Sequence, residues 1–473
     1  MNIKKISILA IFASAFLTGC SDEIPSGSMD AFNALPSSEE IDQMMIKKDF
    51  LPLSHPCMLH TNSDIQRVKQ NLTVSPWQEA YSHLQSSQFA QSWYTEGTAA
   101  LLDGYLKRLD ATNWSSTYAD YDNYTALMRD AAAAYQLALR YQLSGDTQYA
   151  DAAVNVLNAW KNNCKGLLLD DSYTNGIIDP NEYLIMIQGH QLANAAELLR
   201  DYSGWADADF EGFKKWMRTV FLDTSMLFLK NHQGNQGNMH TWLSWDLTAL
   251  TSVLSIGILC DDNMAINWAI SYFKNEDGLF AEAGNILNAV PYLHQDPDSD
   301  EEIGQSMESG RDQGHATLCV SLMGAFCQMA LNVGEDLFAY SDYRALKMAE
   351  YIGKYNLIKD ASWNNSSNSS SATLNADDFV TPHDAMPYTA YSNPSYTCAE
   401  IPTTDTSRGS KRPCWEIFYN YAKTNGLSAI YCQKWSEQMR QFNSFGSDGG
   451  AGDYGSGSGG FDQLGYGTLM FAR

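Results

Sequence analysis

Residues 124–143, YTALMRDAAAAYQLALRYQL, place Leu127, Ala131, Ala134, Ala138 and Tyr141 on one stripe of a helix. Gly145 follows as a stop and Asp146 as a cap. Tyr149, Ala153, Leu157 and Trp160 then repeat the stripe. Such a stripe has to be buried against another element, so two in succession across a tight turn predict an antiparallel helix pair. The pattern recurs along most of the chain. Helices are predicted near 76–92, 183–202, 207–230, 240–258, 263–275, 310–333, 341–358, 412–425 and 428–440, and no run of neighbouring segments alternates with period two.

The chain is therefore expected to be all-α. Paired helices without a short repeat period fit an (α/α) toroid of about six to seven hairpins around a cleft, or an irregular helical stack. Irregular segments at about 163–182, 289–307 and 360–411 interrupt the helices, and loops of that length are usually functional or disordered. SWNNSSNSSS, 362–371, reads as a flexible surface loop. The glycine-rich tail from Gly446 ends in a strand-like GTLMF.

The 473 residues suffice for one large domain or two ordinary ones, and 44% hydrophobic residues make a globular chain. Twelve Trp and twenty-six Tyr are many. They read first as an aromatic core. The same rings also suit a sugar cleft, where a flat face stacks on C–H groups and a polar tip bonds a hydroxyl.

At the N-terminus Lys4 and Lys5 precede the apolar run ISILAIFASAF and then LTGC. This resembles a bacterial lipoprotein signal, with residues 1–19 removed and Cys20 lipidated. Residues 20–55 read as a tether and 56–473 as one domain. Localisation in the cell envelope, lipid-anchored and facing the periplasm or the cell surface, is the expectation, with no later membrane span and a monomeric protein. Of the nine cysteines none forms a C-x-x-C pair, so a zinc site is not indicated. Cys319 and Cys327 read as small core residues, and Cys398 and Cys414 as the most plausible disulfide.

The formal net charge of −25, or −27 once Lys4 and Lys5 leave with the signal, excludes nucleic-acid binding through a general basic surface. It does not exclude an anionic ligand held by local positive charge in a cleft.

Three constellations could carry chemistry. GNQGNMHTW, 234–242, sets amides and His240 ahead of a helix, where free N–H groups suit an anion; an ordinary turn reads equally from these residues. VPYLHQDPDSDEE, 290–302, places Tyr292 and His294 before an acidic loop whose spacing does not match an EF-hand. ESGRDQGH, 308–315, puts Glu308, Arg311, Asp312 and His315 on one helical face that continues into Cys319, Leu322, Phe326 and Met329. That is either an ion pair closing a helix end or a helix opening onto a cleft. Gln188 and His190 on a largely apolar helix, and His383 and Tyr388 in the long late loop, are further candidates.

With N-x-H-T-W, a tyrosine about fifty residues later, then E-S-G-R-D-Q-G-H, the chain resembles polysaccharide lyases of the alginate-lyase superfamily. RPCWEIFYNY, 412–421, and LGYGTLMF, 464–471, add to the likeness, which runs from about residue 56 to the end. The resemblance implies an (α/α) toroid acting on alginate, especially mannuronate-rich, or on glucuronan, without metal or organic cofactor. It implies Tyr292 and His240 as catalytic residues, with Asn238 and Arg311 binding the substrate carboxylate. Asn235, Gln236, Trp242, Glu308, His315, Gln188, His190 and His383 are the other expected substrate-binding residues. Many relatives carry Asn directly before the His, where this chain has Met239, so Asn235, Gln236 or Asn238 would supply the neutralising amide.

The residue types suit β-elimination. Removing the C5 proton of a 4-linked uronate requires its carboxylate to be neutralised by amide, Arg or His donors. A base then takes the proton while an acid serves the leaving O4. A tyrosine in both roles needs a cation nearby to lower its ordinary value of about 10. Two alternatives are a hydrolase on the same toroid, needing paired carboxylates such as Glu308 with Asp179 or Glu182, and a non-catalytic glycan-binding lipoprotein.

Overall fold

A computed structural model describes residues 45–108, 122–168, 183–231, 242–277, 283–360, 374–393, 396–398 and 407–473, with Asp42, Gln43 and Asp405. Helices α1 (Asn62–Asn71) and α2 (Trp77–Ser86) precede the pair α3 (Asp122–Ser144) and α4 (Thr147–Asn163). Next come α5 (Ile187–Leu198) and its return through α6 (Asp207–Met217), a π-helical turn (Arg218–Leu222) and α7 (Asp223–Asn231). The pair α8 (Leu243–Leu259) and α9 (Asn263–Lys274) and the single turn α10 (Ile286–Ala289) follow. The chain ends with α11 (Gln313–Asn332) and α12 (Tyr340–Asn356), α13 (Trp415–Thr424) and α14 (Ile430–Gln441), and α15 (Gly467–Phe471).

The first helix of each pair packs on the first helix of the next: α3 on α5, α5 on α8, α8 on α11, and α11 on α13. The returning helices lie behind them. This is an (α/α) toroid. Helices of the inner ring meet neighbours on every side, so they need no polar face. Every residue of α5 and of α8 is buried. Helix α11 is long and apolar enough to cross a bilayer, contrary to the expectation that no later segment could. It is nevertheless an inner-ring helix with 78% of its apolar window buried.

Helix α15 packs on α1, α2 and α13 and so joins the ends of the ring. Arg67 donates to the carbonyls of Ala472 at 2.7 Å and Met470 at 2.6 Å, and Arg473 reaches Asp64 at 3.1 Å.

Short turns join the two members of each pair, whereas long connections join successive pairs. The N-termini of α3, α5, α8, α11 and α13 consequently share one end of the ring. The helix dipoles directed at that end make it attractive to anions.

Several expectations are corrected. GTLMF is the helix α15, not a strand, because its apolar residues pack on three helices at once. Residues 62–71 form α1, started by a Thr61–Asp64 capping box. Segment 289–307 is not irregular: β3 (Tyr292–Gln295) and β4 (Glu302–Gln305) form a hairpin around the acidic loop. Two further two-stranded pairs occur, a parallel one between Tyr105–Leu106 and Gly166–Leu167 and a hairpin of Tyr391–Asn393 with Tyr396–Cys398. Cys414 is a free thiol buried at the start of α13, so the expected Cys398–Cys414 bridge is not formed. Cys319 and Cys327 are core residues, as expected.

Candidate functional site

The acidic stretch 308–315 is not one helical face. Met307–Gly310 forms a separate 3-10 turn, Arg311 leaves it with φ −91 and ψ −87, and Asp312 caps α11. The break lets each charged side chain do a different job. Glu308 is fully buried: one oxygen accepts from the Ser244 N–H at 3.0 Å and the other faces Arg311 Nη1 at 3.4 Å. Trp242, the residue at the N-cap of α8, offers no side-chain cap. Glu308 therefore caps α8 from a neighbouring turn, which is why a carboxylate is tolerated in the core.

Arg311 meets two indoles, 5.1 Å from the Trp242 ring and 5.0 Å from that of Trp245. Cation–π contact with Glu308 behind fixes its orientation. Asp312 accepts from the His315 N–H at 2.9 Å and meets His315 Nδ1 at 2.6 Å. Burial pushes the Asp312 carboxyl up, but the bonds and charge of His315, helped by Arg311, hold it below its ordinary value.

The hairpin carries the other half of the arrangement. Tyr292 pairs with Gln305 and His294 with Ile303, so Tyr292 and His294 share a face. Gln305 is buried and binds the Thr389 backbone in both directions, Nε2 to O at 2.7 Å and Oε1 from N at 2.8 Å. That fixes the amide orientation. His294 Nε2, 2.9 Å from Oε1, is thus the donor, and its Nδ1 carries the lone pair when the ring is neutral. Because β4 ends at Gln305, Tyr292 stands opposite a residue only three before Glu308. The structure brings Tyr292 and the Arg311 turn to the same end of the ring.

Three other expected residues are described. Gln188 and His190 are enclosed within α5, and burial lowers His190 to about 4, so it is neutral there. His383 stands in a short 3-10 turn, its ring centroid 6.1 Å from that of Tyr355. Asn235, Gln236, Asn238, His240 and Cys20, with Met239, Asp179 and Glu182, lie outside the described residues.

Two sets of groups resemble cation sites and are taken up by the protein itself. Lys354, fully buried, sits against Asp296, Asp298 and the Tyr431 hydroxyl, so an ammonium occupies the base of the acidic loop. His55, Cys57 and Glu197 hold ligand-type atoms within 4.8 Å of one another. Glu197 is already engaged there by His55 Nδ1 at 2.6 Å, the Cys57 N–H at 3.0 Å and Arg200 Nε at 3.1 Å.

Sequence reasoning missed Ser244, Trp245 and Gln305. Trp245 carried a usable signal, since it stands one helical turn after Trp242. Ser244 and Gln305 act through backbone groups distant in sequence and carried none.

The profile of the alginate lyase family matches residues 69–362. Solved structures similar to this chain include a variant of alginate lyase A1-III complexed with tetrasaccharide, 13% identical, with 92% of this chain and 99% of that one covered and a TM-score of 0.50. An alginate lyase from Bacteroides ovatus is 12% identical, with 84% of this chain and 98% of that one covered and a TM-score of 0.48. No curated protein sequence matches the chain.

Proposed function

The chain belongs to the alginate lyase family and is a polysaccharide lyase; from that premise we propose that it cleaves a 4-linked polyuronate, mannuronate-rich alginate or glucuronan, by β-elimination. Tyr292 takes the C5 proton and serves the leaving O4, and His240 with an amide of Asn235, Gln236 or Asn238 neutralises the carboxylate. Arg311 binds that carboxylate, with Trp242 beneath it, and Glu308 and His315 support the same turn.

The observation that carries the reading is the oriented Arg311 at the anion-attracting end of the ring, on the turn that follows the Tyr292 hairpin. Elimination builds negative charge on the carboxylate as the C5 proton leaves. A guanidinium already oriented by two indoles and a carboxylate has no reorganisation left to do as that charge grows. The family's sugar-bound relative is consistent with a polysaccharide substrate. The single-domain body from residue 56 and the lipid anchor at Cys20, with a monomer in the cell envelope, belong to the same proposal.

The test is absorbance near ~235 nm, the signature of a C4=C5 double bond, on alginate, its mannuronate- and guluronate-rich fractions and glucuronan. A rise on one or more is expected, and Tyr292→Phe should abolish it while binding persists. No rise on any polyuronate would sink the lyase reading. Reducing ends without absorbance would indicate a hydrolase, and binding without cleavage a glycan-binding protein.

A further inference from the structure

Three arginines among the described residues are buried: Arg108 at 7% exposure, Arg408 at 6% and Arg412 at 6%. Two of them are saturated. Arg408 donates to the carbonyls of Tyr355 at 2.8 Å and Thr381 at 2.6 Å and pairs with Asp405 at 3.2 Å. Arg412 pairs with Asp462 through two nitrogens, at 3.1 and 2.7 Å, and donates to Gly314 O at 2.7 Å. Arg108 differs. Its guanidinium lies 5.1 Å from the Tyr124 ring centroid, no carboxylate pairs it among the described residues, and its enclosed Nη1 has no hydrogen-bond partner. A guanidinium cannot escape the cost of burial by losing its proton, so a position like this is retained when something else supplies the anion.

A second buried atom without a hydrogen-bond partner belongs to Asn123, the residue before Tyr124. Asn123, 1% exposed, donates Nδ2 to the Tyr105 carbonyl at 3.3 Å, which fixes its amide and leaves Oδ1 as a buried acceptor without a partner. Asn123 lies in the first turn of α3, at the same end of the ring as Arg311. Tyr105, whose carbonyl holds Asn123, is 39% exposed, with Lys165 Nζ 5.8 Å from its ring centroid. One cation, one acceptor and one open aromatic face are what a uronic acid requires: its carboxylate, a ring hydroxyl and its C–H face.

We propose that Arg108 and Asn123, with the ring of Tyr105, form a subsite for a uronate residue distant from the bond that is broken. Arg108 donates to the carboxylate and Asn123 Oδ1 accepts from a hydroxyl. Helices α5 and α8 stand between α3 and α11. At about 8–10 Å per inner-helix step, the arc from Arg108 to Arg311 spans several sugar units. The inference rests on the polyuronate lyase reading and adds where a long chain is held.

The test uses the full chain carrying Tyr292→Phe, titrated calorimetrically with oligomannuronates of two to eight units, with and without Arg108→Met. Methionine keeps an unbranched apolar stem over Tyr124 and removes the charge. The dissociation constant for the longest oligomer should rise at least tenfold, with no change for the shortest, and Arg108→Lys should recover part of the loss. In otherwise wild-type protein Arg108→Met should raise KM on polymer at least tenfold while kcat falls less than threefold. Its melting temperature should be no lower than the parent's, because the charge it removes has no carboxylate partner among the described residues. Equal loss at every length, no loss at any length, or a fall in melting temperature that Lys restores would each overturn the subsite. Wild-type protein inert on every polyuronate would instead sink the lyase reading, and the length-dependent binding comparison would still decide the Arg108 assignment.

Discussion

Glu308 accepts a hydrogen bond from the backbone N–H of Ser244 at 3.0 Å, and this joins the turn that carries Arg311 to the first turn of the helix that carries Trp242 and Trp245. A carboxylate capping a neighbouring helix makes the position of Arg311 depend on two elements at once. Glu308→Gln keeps an acceptor for Ser244 but withdraws the charge facing Arg311. The expected result is a loss of about 1–3 kcal/mol in denaturant unfolding and a fall of more than tenfold in kcat/KM. Unchanged activity would show that Arg311 is held by the indoles alone.

Arg311→Lys tests the indoles. A flat guanidinium can contact both rings, whereas an ammonium is compact and more strongly hydrated. kcat/KM on polyuronate should fall at least tenfold, while the melting temperature moves little because the inner-ring packing is untouched. A lysine variant with full activity would mean that charge without planarity suffices.

Asp312 both caps α11 and holds His315. Asp312→Ala should cost about 1 kcal/mol as a lost cap, and Asp312→Asn should recover most of it. The held-down carboxyl adds a pH signature. Its folded value lies below the unfolded one, so its contribution is present above the ordinary carboxylate range and fades as pH falls through it. The stability gap between wild type and Asp312→Asn should therefore shrink in acid, as read by urea unfolding across pH.

Gln305 locks the Tyr292 hairpin to the Thr389 backbone. Gln305→Leu removes the partner of the Thr389 N–H and C=O and of the His294 donor, and about 1–2 kcal/mol of destabilisation is expected. Hydrogen exchange should quicken first at 292–295. Protection unchanged in that strand would show that the hairpin is held by other contacts.

Asp448 gives the opposite pH dependence. Burial, reinforced by Glu416, raises its carboxyl to about 7, against 3.8 in the unfolded chain. Its neutral form fits the fold at low pH, and that fit is lost as pH rises from about 4 to 7. Asp448→Asn should accordingly gain stability relative to wild type over that interval, levelling above it. A difference independent of pH would show that Asp448 does not titrate in the fold.

Helical periodicity alone determined much of this protein. A stripe such as Leu127 to Tyr141 can only be buried by another helix, so the class, the pairing and most helix positions were legible. What the sequence could not contain was the use of backbone groups from distant segments. That Glu308 caps a helix beginning sixty-five residues earlier, that Gln305 reads the backbone of Thr389, and that GTLMF is a helix rather than a strand all depend on which elements meet. The same holds for Arg108, which is an ordinary basic residue in the sequence. Only the ring, by burying it without a carboxylate among the described residues, sets it apart, because desolvation is a property of surroundings and not of residue order.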